Sequence, residues 1–576
     1  MKVLVVGGYG VFGGRLARLL ADEPRLTMLL AGRSEDKALA FCESLETRST
    51  LVPWRFDRNG DLDAQLAAAA PDLVVDASGP FQAYGERPWR LAEACIAAGV
   101  PYLDLADGSD FVAGISSLDE AAKARGVFVL SGVSTCPALT AAVVRRLTDG
   151  WSTVTSIKAG IAPTPWAGLG LSVVQAIAGY AGKPVPLLIF GKPSTGTALV
   201  WTRNQTIAPP GEIPLRVQHF SLVDTPDLRV LPPLYPGLQH IWFGAGPTPE
   251  ILHRALNGMG RLVQWGLLPT LRPLAPVFHA AINRLRWGEH RGGMFVAVAG
   301  KDAEGQAIRR SWHLVAEGDD GPFIPSIPAS LIIRRLLEGQ TPAPGARPAT
   351  GELELADFEA LFATLAIRSG VRDQIAVSEP VYRQVMAGAY DAMPPEWRTI
   401  HDLREGNLTV AGRASVARGR GLLARLVGAV IGFPKAGEDV PVSVAFSREG
   451  SSELWTRTFA GKRFSSRQAP GRGRERHLIV ERFGPLVIAM APVVRDGRMS
   501  LVIRRFTVFG LSLPLWLGPT TAAHEEVVDG RFRFDVQISH PFTGMIVRYR
   551  GWLEPQAPSG EVESGSPPGR RAGKMR

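Results

Sequence analysis

Two hydrophobic patterns divide the chain into regions of different predicted structure. Over the first 150 residues, short apolar runs alternate with segments whose apolar residues recur at helical spacing. This strand–helix–strand order predicts a parallel sheet with helices on both faces, the doubly wound α/β class. The predicted strands are 2–6, 26–31, 73–77, 102–105 and 127–130, and the predicted helices are 15–21, 62–70, 90–98 and 118–124.

The middle of the chain is less regular, and we assign residues 151–370 to a second, α+β domain. Two strand-like runs at 293–299 and 311–316 flank a polar loop and predict a hairpin. A helix is expected at 329–337, before a proline-rich connector at 342–350.

The C-terminal part consists mainly of short runs in which apolar and polar residues alternate. Turn residues separate these runs from 385 to 556, which predicts a β-rich domain, either a sandwich or a barrel. The last residues, 557–576, are mostly Gly, Ser, Pro and Arg, and they predict a disordered tail.

The composition narrows the class of protein. The 576 residues are 45% hydrophobic and 20% charged, as in an ordinary globular protein. The three cysteines lack the spacing of a disulfide scaffold or a zinc site, so we expect neither disulfides nor a metal. Such sparse cysteines are typical of a protein in the reducing cytoplasm. The chain begins with a predicted strand, and prolines and glycines interrupt its longest uncharged stretch, 159–182. Neither a signal peptide nor a transmembrane helix is therefore expected.

The most informative motif follows the first strand. Gly8, Gly10 and Gly13 form G-x-G-x-x-G between a predicted strand and a predicted helix. We assign Gly8 to the tight turn, Gly10 to the close approach of a pyrophosphate, and Gly13 to helix–sheet packing. A glycine-rich turn without a ligand is the alternative. The dinucleotide site predicted by this motif consists of Gly8, Tyr9, Gly10, Val11, Phe12 and Gly13.

The end of the second strand bears on which dinucleotide binds. An NAD site usually has an acidic residue about 20 residues after the glycine motif, and this residue binds the ribose 2′-hydroxyl. This chain has Arg33 there, followed by Ser34, and a cation suits the 2′-phosphate of NADP. We therefore expect NADP in preference to NAD, with a solvated arginine at a strand end as the alternative.

A second candidate region follows the predicted strand at 73–77. Ser78 and Gly79 lie at its C-terminal end, where ligands bind in open α/β sheets. They can pass near the ribose–nicotinamide half of a dinucleotide, or they form an ordinary turn.

A dinucleotide carries the hydride, so the protein has to supply a proton donor near the substrate. Asp104 and Asp107 follow a strand that ends on the cofactor side, and they are the catalytic candidates. Capping of the next helix is the alternative for both. Cys136 and His313 are also considered, with a small buried thiol and a structural histidine as the alternatives.

These motifs together resemble the saccharopine-dehydrogenase-like family. The resemblance covers residues 1–370 and rests on G-G-Y-G-V-F-G, A-G-R-S, V-V-D-A-S-G-P-F, G-V-P-Y-L-D-L-A-D and W-H-L-V-A-E-G-D-D-G-P-F-I-P. It implies a Rossmann NAD(P)-binding domain at 1–150, and a second domain that faces it across a cleft. It also implies that the segment 321–337 returns to the first domain. The cofactor contacts it implies are Gly8, Gly10, Gly13, Arg33, Ser34, Ser78 and Gly79.

The C-terminal domain resembles a different family. Residues 385–556 are similar to domain of unknown function 4166 through G-R-A-S-V-A-R-G, L-W-T-R-T-F, E-R-F-G-P-L, R-F-R-F-D-V and Y-R-G-W-L, which implies no activity. Between 411 and 510, 18 Arg or Lys residues stand against 7 Asp or Glu. Three interpretations stay open beside simple solvation: an apolar-ligand site, contact of 420–433 with an anionic membrane, and contact of 462–477 with nucleic acid.

These observations predict a cytoplasmic NADP-dependent oxidoreductase with an unidentified small-molecule substrate. The apolar second domain favours a lipid-like substrate, because the 153–200 region offers only Lys158, Lys183 and Lys192 to bind the carboxylates of an amino acid. No nucleic-acid-binding signature stands out, so nucleic acid is not expected. Peripheral contact with the inner face of a membrane and a homodimer stay open. The alternative function is a non-catalytic NADP-binding sensor or scaffold.

Overall fold

The chain folds into two compact units, Met1–Gln374 and a second that begins at Ile375. The computed structural model describes residues 1–168 and 170–556, apart from the side chain of residue 430. The predicted tail at 557–576 lies outside the described residues.

The strands of the first unit form two large sheets and one small one. They are β1 (Lys2–Val6), β2 (Thr27–Gly32), β3 (Thr50–Arg55), β4 (Leu73–Asp76), β5 (Tyr102–Asp104), β6 (Phe128–Ser131), β7 (Thr153–Ala162), β8 (Pro184–Ile189), β9 (Lys192–Thr197), β10 (Thr202–Gln205), β11 (Gln218–Leu222), β12 (His240–Ala245), β13 (Gly292–Lys301), β14 (Ala307–Ala316), β15 (Gly345–Pro348) and β16 (Ile367–Asp373).

Thirteen α-helices accompany these strands in the described part of the first unit. They are α1 (Val11–Leu19), α2 (Glu35–Glu43), α3 (Leu62–Ala69), α4 (Arg90–Ala98), α5 (Ser109–Gly114), α6 (Asp119–Ala124), α7 (Thr140–Leu147), α8 (Leu171–Tyr180), α9 (Asp227–Val230), α10 (Glu250–Gln264), α11 (Ala275–Arg284), α12 (Ile327–Leu337) and α13 (Leu355–Phe362).

The first sheet is parallel throughout, in the order β15-β6-β5-β4-β1-β2-β3. Successive residues of β1 face two different cores. Val3 and Val5 belong to one hydrophobic cluster, while Leu4 and Val6 belong to another on the opposite face. A strand that is buried on both faces has to be apolar throughout, as the Val-rich run indicates. The predicted doubly wound α/β fold is confirmed.

Two strands of this sheet were not predicted. β3 carries Pro53, which lacks a backbone N–H and normally argues against a central strand. Its place at the edge of the sheet, paired with β2 alone, explains why the proline is tolerated. β15 comes from the far end of the unit and pairs with β6. The chain therefore returns to the first domain, as the resemblance implied, and Ser326 donates from Oγ to the Phe12 carbonyl on the way (3.0 Å).

The second sheet is mixed, in the order β10-β11-β12-β7-β13-β14-β16. β12 runs parallel to β7, and the other neighbours are antiparallel. The β13–β14 hairpin has continuous pairing from Gly292↔Ala316 to Lys301↔Ala307, so it is longer than the predicted one. α8 lies beyond the end of β7, and this pair forms one wall of the site described below.

The second unit consists of four helices and eleven strands among its described residues. The helices are α14 (Val381–Met386), α15 (Gly388–Asp391), α16 (Pro395–His401) and α17 (Leu422–Ile431). The strands are β17 (Asn407–Arg418), β18 (Gly437–Glu449), β19 (Ser452–Phe459), β20 (Lys462–Pro470), β21 (Ile479–Phe483), β22 (Leu486–Arg495), β23 (Arg498–Val508), β24 (Leu511–Leu513), β25 (Thr520–Val528), β26 (Arg531–His540) and β27 (Gly544–Pro555).

Ten of these strands close into an antiparallel barrel. β17 pairs with β27 and β22 pairs with β23, which joins the two ends of the ring, while short β24 adds to β23. The prediction of a β-rich domain is therefore confirmed, with the barrel as the correct alternative. Helices α14–α16 were not predicted, and they contribute the fully buried Tyr382 and Trp397 to the core of this unit.

None of the helices in the described part of the chain has the length and apolar character needed to cross a bilayer.

Candidate functional site

The first unit contains a cavity of about 740 Å³ between its two sheets. One wall consists of the loops after β1, β2, β3, β4 and β5, at the carboxyl edge of the parallel sheet. The other wall comes from β7, α8, β12 and the segment after β11. Ligands of open α/β sheets bind at this edge, so the cavity has the position of a dinucleotide site.

The glycine loop forms the floor of this cavity. Gly7, and not Gly8 as expected, has the positive φ (+81°) of the tight turn, and a Cβ there would lie 2.9 Å from the Ala77 carbonyl oxygen. Gly8 packs against the Leu30 backbone, and a Cβ on Gly13 would overlap the Gly7 carbonyl oxygen. Gly10 lies at the start of α1, which has no acidic residue in its first turn. The loop therefore offers a helix N-terminus and a backbone surface free of side chains.

Arg33 and Tyr9 lie at the adjoining end of β2. Both line the cavity, and Arg33 is exposed. Ser34 caps α2 by accepting from the Lys37 N–H (3.4 Å), and its own N–H donates to the Tyr9 hydroxyl (3.1 Å). Ser34 is not among the described residues that line the cavity. Among the described residues, Arg33 is therefore the cation that lines the cavity at the end of β2.

A network of hydrogen bonds supports the middle of the cavity. Asp76 is completely buried and accepts from the Ser78 N–H (3.0 Å), the Ser78 hydroxyl (2.5 Å) and Arg58 Nε (3.1 Å). The Arg58 guanidinium lies 3.2 Å from the centre of the Tyr84 ring, and the Tyr84 and Ser78 hydroxyls are 2.9 Å apart. Ser78 and Gly79 line the cavity as expected, whereas Arg58 and Tyr84 were missed.

The geometry gives Asp104 a structural role in place of the catalytic one considered above. It is completely buried, and it is not among the described residues that line the cavity. Its Oδ1 accepts from the N–H groups of Ala106 (3.0 Å) and Gly132 (2.8 Å) and from the Ser131 hydroxyl (3.0 Å). Its Oδ2 has no hydrogen-bond partner among the described residues, and burial raises the pKa of the carboxyl to about 7. Asp104 thus joins β5 to the end of β6.

Asp107, the second catalytic candidate, does line the cavity. It is open to the cavity but surrounded by protein atoms, and this desolvation raises the pKa of its carboxyl. The only partner on its Oδ1 that the described residues provide is the Gln82 amide (3.0 Å). The described residues give Asp107 no cation as an ion-pair partner, so its carboxyl is suited to holding a proton.

Two further titratable groups face the same space from the second domain. Tyr180 is the last residue of α8, and burial followed by the charges of Asp224 and Asp107 raises the pKa of its hydroxyl. Asp224 accepts from the Ser109 hydroxyl (2.8 Å), and burial raises the pKa of its carboxyl. Both residues were missed because they belong to no motif, although Asp224 follows the end of β11 and a carboxylate there is a recognisable signal.

The thiol and imidazole candidates are held in structural contacts. Cys136 lines the cavity, but burial and then the charge of Asp227 raise the pKa of its thiol, which keeps it uncharged. Asp227 itself is buried, accepts from the Thr140 hydroxyl, and has its pKa raised by burial to about 6. His313 is buried in β14, where its Nδ1 accepts from the Ala208 N–H (3.3 Å).

The two walls of the cavity differ in polarity. The only cationic side chains among its described lining residues are Arg33 and Arg58, both from the first domain. None of Lys158, Lys183 and Lys192 lines it. The second-domain wall is mostly apolar, with Ile161, Val173, Ala176, Ile177, Val223, Phe243 and Ala245.

Comparison with known proteins finds matches to family models in two parts of the chain. Residues 3–130 match the model described as the saccharopine dehydrogenase NADP binding domain. Residues 393–553 match the model for a domain of unknown function, DUF4166. No curated protein matches the sequence.

Solved structures of low sequence identity also resemble the chain. An apo saccharopine dehydrogenase (L-Glu forming) from Saccharomyces cerevisiae is 12% identical with a TM-score of 0.46, covering 65% of this chain and 100% of that one. GenD2 from gentamicin A biosynthesis, in complex with NAD, is 16% identical with a TM-score of 0.25, covering 54% and 71%. A probable dehydrogenase from Thermotoga maritima is 10% identical with a TM-score of 0.30, covering 64% and 98%.

The glycine loop after β1 thus lies within the segment, residues 3–130, that matches the saccharopine dehydrogenase NADP binding domain model, and β17 to β26 of the barrel lie within the segment, residues 393–553, that matches DUF4166.

Proposed function

We propose that the first unit is an NADP-dependent oxidoreductase that transfers hydride to or from an apolar, acyl- or lipid-like substrate. One observation carries this proposal. A single cavity runs from the glycine loop and Arg33 to Tyr180, Asp107 and Asp224. It combines a place for a phosphorylated dinucleotide with groups that can hold a proton.

The residues present fit a dinucleotide. A Cβ on Gly7 or Gly13 would collide with backbone atoms of the protein itself, so only glycine allows the tight turn that leads from β1 into the N-terminus of α1. The N-terminus of α1 would hold the pyrophosphate, Arg33 the 2′-phosphate, and Ser78 with Gly79 the ribose–nicotinamide half. When bound, the cofactor supplies hydride chemistry at its nicotinamide ring.

The protein's own contribution is the proton. The Tyr180 hydroxyl stays protonated chiefly because burial disfavours the phenolate. A neutral phenol is a donor to a carbonyl or enolate oxygen. Asp107 and Asp224, whose pKa values are both raised, can return a proton to it. The apolar second-domain wall excludes water from the reacting atoms.

The substrate class follows from the same wall. A substrate with several carboxylates would need cations, and the described lining of the second domain offers none. Ile161, Ile177 and Phe243 instead offer apolar surface, which favours a chain of methylene groups.

A labelling experiment tests the reaction with a mixture of candidate substrates. Full-length protein is incubated with NADPH that carries deuterium at C4 and with a total lipid extract, and mass spectrometry follows deuterium in the lipids. We expect label in one lipid species. Tyr180→Phe should lower the rate about 10²–10⁴-fold, while the dissociation constant for NADPH stays unchanged. Tyr235→Phe is the matched control, because Tyr235 is not among the described lining residues.

The alternative, a non-catalytic sensor or scaffold, predicts a different outcome. NADPH would bind, no lipid or other metabolite would acquire label, and Tyr180→Phe would change nothing.

The cofactor assignment has a test of its own. Arg33→Ala should weaken NADPH binding about 10–100-fold, because a charge-assisted contact to the 2′-phosphate is lost, and should leave NADH binding unchanged. Isothermal calorimetry with both nucleotides measures this. Equal losses for NADPH and NADH would contradict a 2′-phosphate contact.

A further inference from the structure

One end of the barrel differs from the other in its connections. Consecutive antiparallel strands place alternate connections at the same end. The segments 419–436, 460–461, 484–485, 509–519 and 541–543 therefore share one end, which we call the apolar end. Hydrogen bonds connect two of these segments to strands at this end: His540 of β26 donates from Nε2 to the Leu517 carbonyl (3.0 Å), and the Gly419 N–H donates to the Ile546 carbonyl of β27 (3.0 Å).

The apolar end exposes large hydrophobic side chains. Leu422 is 83% exposed, Phe509 82% and Trp516 66%. Every exposed large hydrophobic residue of the described barrel, 407–556, lies in the segments that form this end; the others are Leu423, Leu426, Leu511, Leu515 and Phe542. The opposite end is polar: its turns contain residues such as Arg472, Asp496 and Asp529, and α16 packs against β25, β26 and β27 near it.

Helix α17 packs Val427 and Ile431 against the barrel core, but it exposes three leucines on another face. Its small residues Ala424 and Gly428 are buried, and Gly428 packs under the Arg418 guanidinium, which donates to the Phe433 (3.1 Å) and Pro434 (3.0 Å) carbonyls. Leu422, Leu423 and Leu426 face solvent. A helix of a soluble domain normally buries such residues, so this outward face indicates an apolar surrounding that the described residues do not supply.

The charge of this end is of one sign. Its connections contain Arg420, Arg425 and Lys435 and no Asp or Glu. All three cations are exposed. Two copies of the chain that met through this end would bring cations against cations, which disfavours self-association. Apolar side chains ringed by cations match the interface of a bilayer that contains anionic lipids.

We propose that the apolar end docks onto the surface of an anionic lipid bilayer. Leu422, Leu426, Phe509, Trp516 and Phe542 enter the boundary between headgroups and acyl chains. Arg420, Arg425 and Lys435 contact the lipid phosphates. The inference stands on the second unit alone and does not depend on the proposed reaction.

Co-sedimentation of the full-length protein with vesicles tests this docking. We expect binding to vesicles of phosphatidylcholine with 30% phosphatidylglycerol, at least about tenfold weaker binding to pure phosphatidylcholine, and weakening with added salt. Leu422→Glu/Leu426→Glu should reduce binding to the anionic vesicles at least about tenfold. Arg420→Gln/Arg425→Gln should reduce it by a similar factor and leave the weak binding to neutral vesicles unchanged.

Controls separate loss of docking from loss of folding. Val377→Glu changes an exposed apolar residue outside the barrel and should bind vesicles as the wild type does. Circular dichroism of each variant should match the wild type. Absence of binding to either vesicle by folded wild-type protein overturns the proposal. So does concentration-dependent dimerisation, seen by sedimentation velocity, that Leu422→Glu/Leu426→Glu abolishes, because a second copy would then cover this end.

Discussion

Two carboxyls that line the cavity of the first unit are held differently from the buried carboxylates of the barrel. Inside the barrel, each buried carboxylate has a strong hydrogen-bond donor. Glu481 pairs with Arg457 (3.1 Å), Glu453 with Arg448 (3.3 Å), and Glu525 accepts from His401 and Trp397 (2.9 Å each). Around the cavity of the first unit, Asp107 and Asp224 have neutral partners, Gln82 and Ser109.

This difference separates groups that hold a structure from groups that can react. A carboxylate that is hydrogen-bonded to a cation in a packed interior is fixed in place by its neighbours. A carboxyl with neutral partners beside a cavity has a raised pKa and can exchange a proton with a ligand. The barrel thus has the features of a scaffold, and the first unit those of a chemical site.

Breaking one barrel pair should give the largest effect. Arg457→Ala leaves Glu481 buried without its cation, with the Ser466 hydroxyl (2.6 Å) as its remaining strong donor. We expect a loss of about 3–5 kcal/mol in the free energy of unfolding of the second unit. Urea unfolding of the full-length protein, followed by circular dichroism, measures it.

The control for this change is an exposed cation on the adjacent strand. Arg463→Ala removes a charge from the surface of β20 and should stay within about 0.5 kcal/mol of the wild type. Equal losses in the free energy of unfolding for both variants would show that the buried ion pair stabilises the barrel no more than a surface charge does. The comparison between the two units would then be wrong.

The next largest effect comes from the buried carboxyl of Asp104 in the first unit, and it depends on pH. The pKa of Asp104 is raised in the folded protein to about 7, so its protonated form is favoured there relative to the unfolded chain. The stability it contributes is complete below about pH 4 and is lost as the pH rises to about 7. The difference from Asp104→Asn, which keeps the acceptor oxygen without titrating, should reach up to about 4 kcal/mol.

Unfolding of wild type and Asp104→Asn at a series of pH values checks this. The difference between the two proteins isolates Asp104 from the other titrating groups. A difference that stays flat, or that favours the wild type as the pH rises, would mean that the carboxyl is ionised and compensated in the folded protein.

Crowding of the glycine loop should give the smallest change in stability and a clear change in binding. Gly13→Ala forces α1 away from the Gly7 carbonyl, which costs about 1–3 kcal/mol and moves the helix N-terminus. We expect NADPH affinity to fall at least about tenfold by calorimetry. Gly258→Ala, in α10 with open space around it, should leave binding unchanged and stabilise the helix by about 0.5–1 kcal/mol. NADPH binding by Gly13→Ala with wild-type affinity would remove the loop from the site.

The sequence predicts the parallel sheet well because its strands are apolar on both faces and short. The sequence does not predict β3, because Pro53 is unusual in a strand and is tolerated only at the edge of the sheet. It does not predict α14–α16 either, because these helices pack against barrel strands that lie far away in the sequence. A two-residue period indicates which side chains share a face of a strand but not which strand lies beside it. The choice between sandwich and barrel, and the pairing of Arg457 with Glu481, therefore needed the structure.

The candidate site was predictable only on its nucleotide side. The glycine motif, Arg33 and Ser78 belong to local patterns with a physical meaning. Tyr180 and Asp224 come from segments without such patterns, and the folding of the second domain brings them to the cavity. Asp104 and Asp107, only three residues apart, differ because one faces the interior between β5 and β6 and the other the cavity.

The position of β15 has a consequence for how the protein is made. During synthesis, the edge of the nascent sheet at β6 stays without its neighbour until the whole second domain has left the ribosome. An uncovered strand edge is prone to pairing with other chains. The nucleotide-binding half therefore completes itself only after its insertion has folded, and truncation before residue 345 should yield a protein that aggregates.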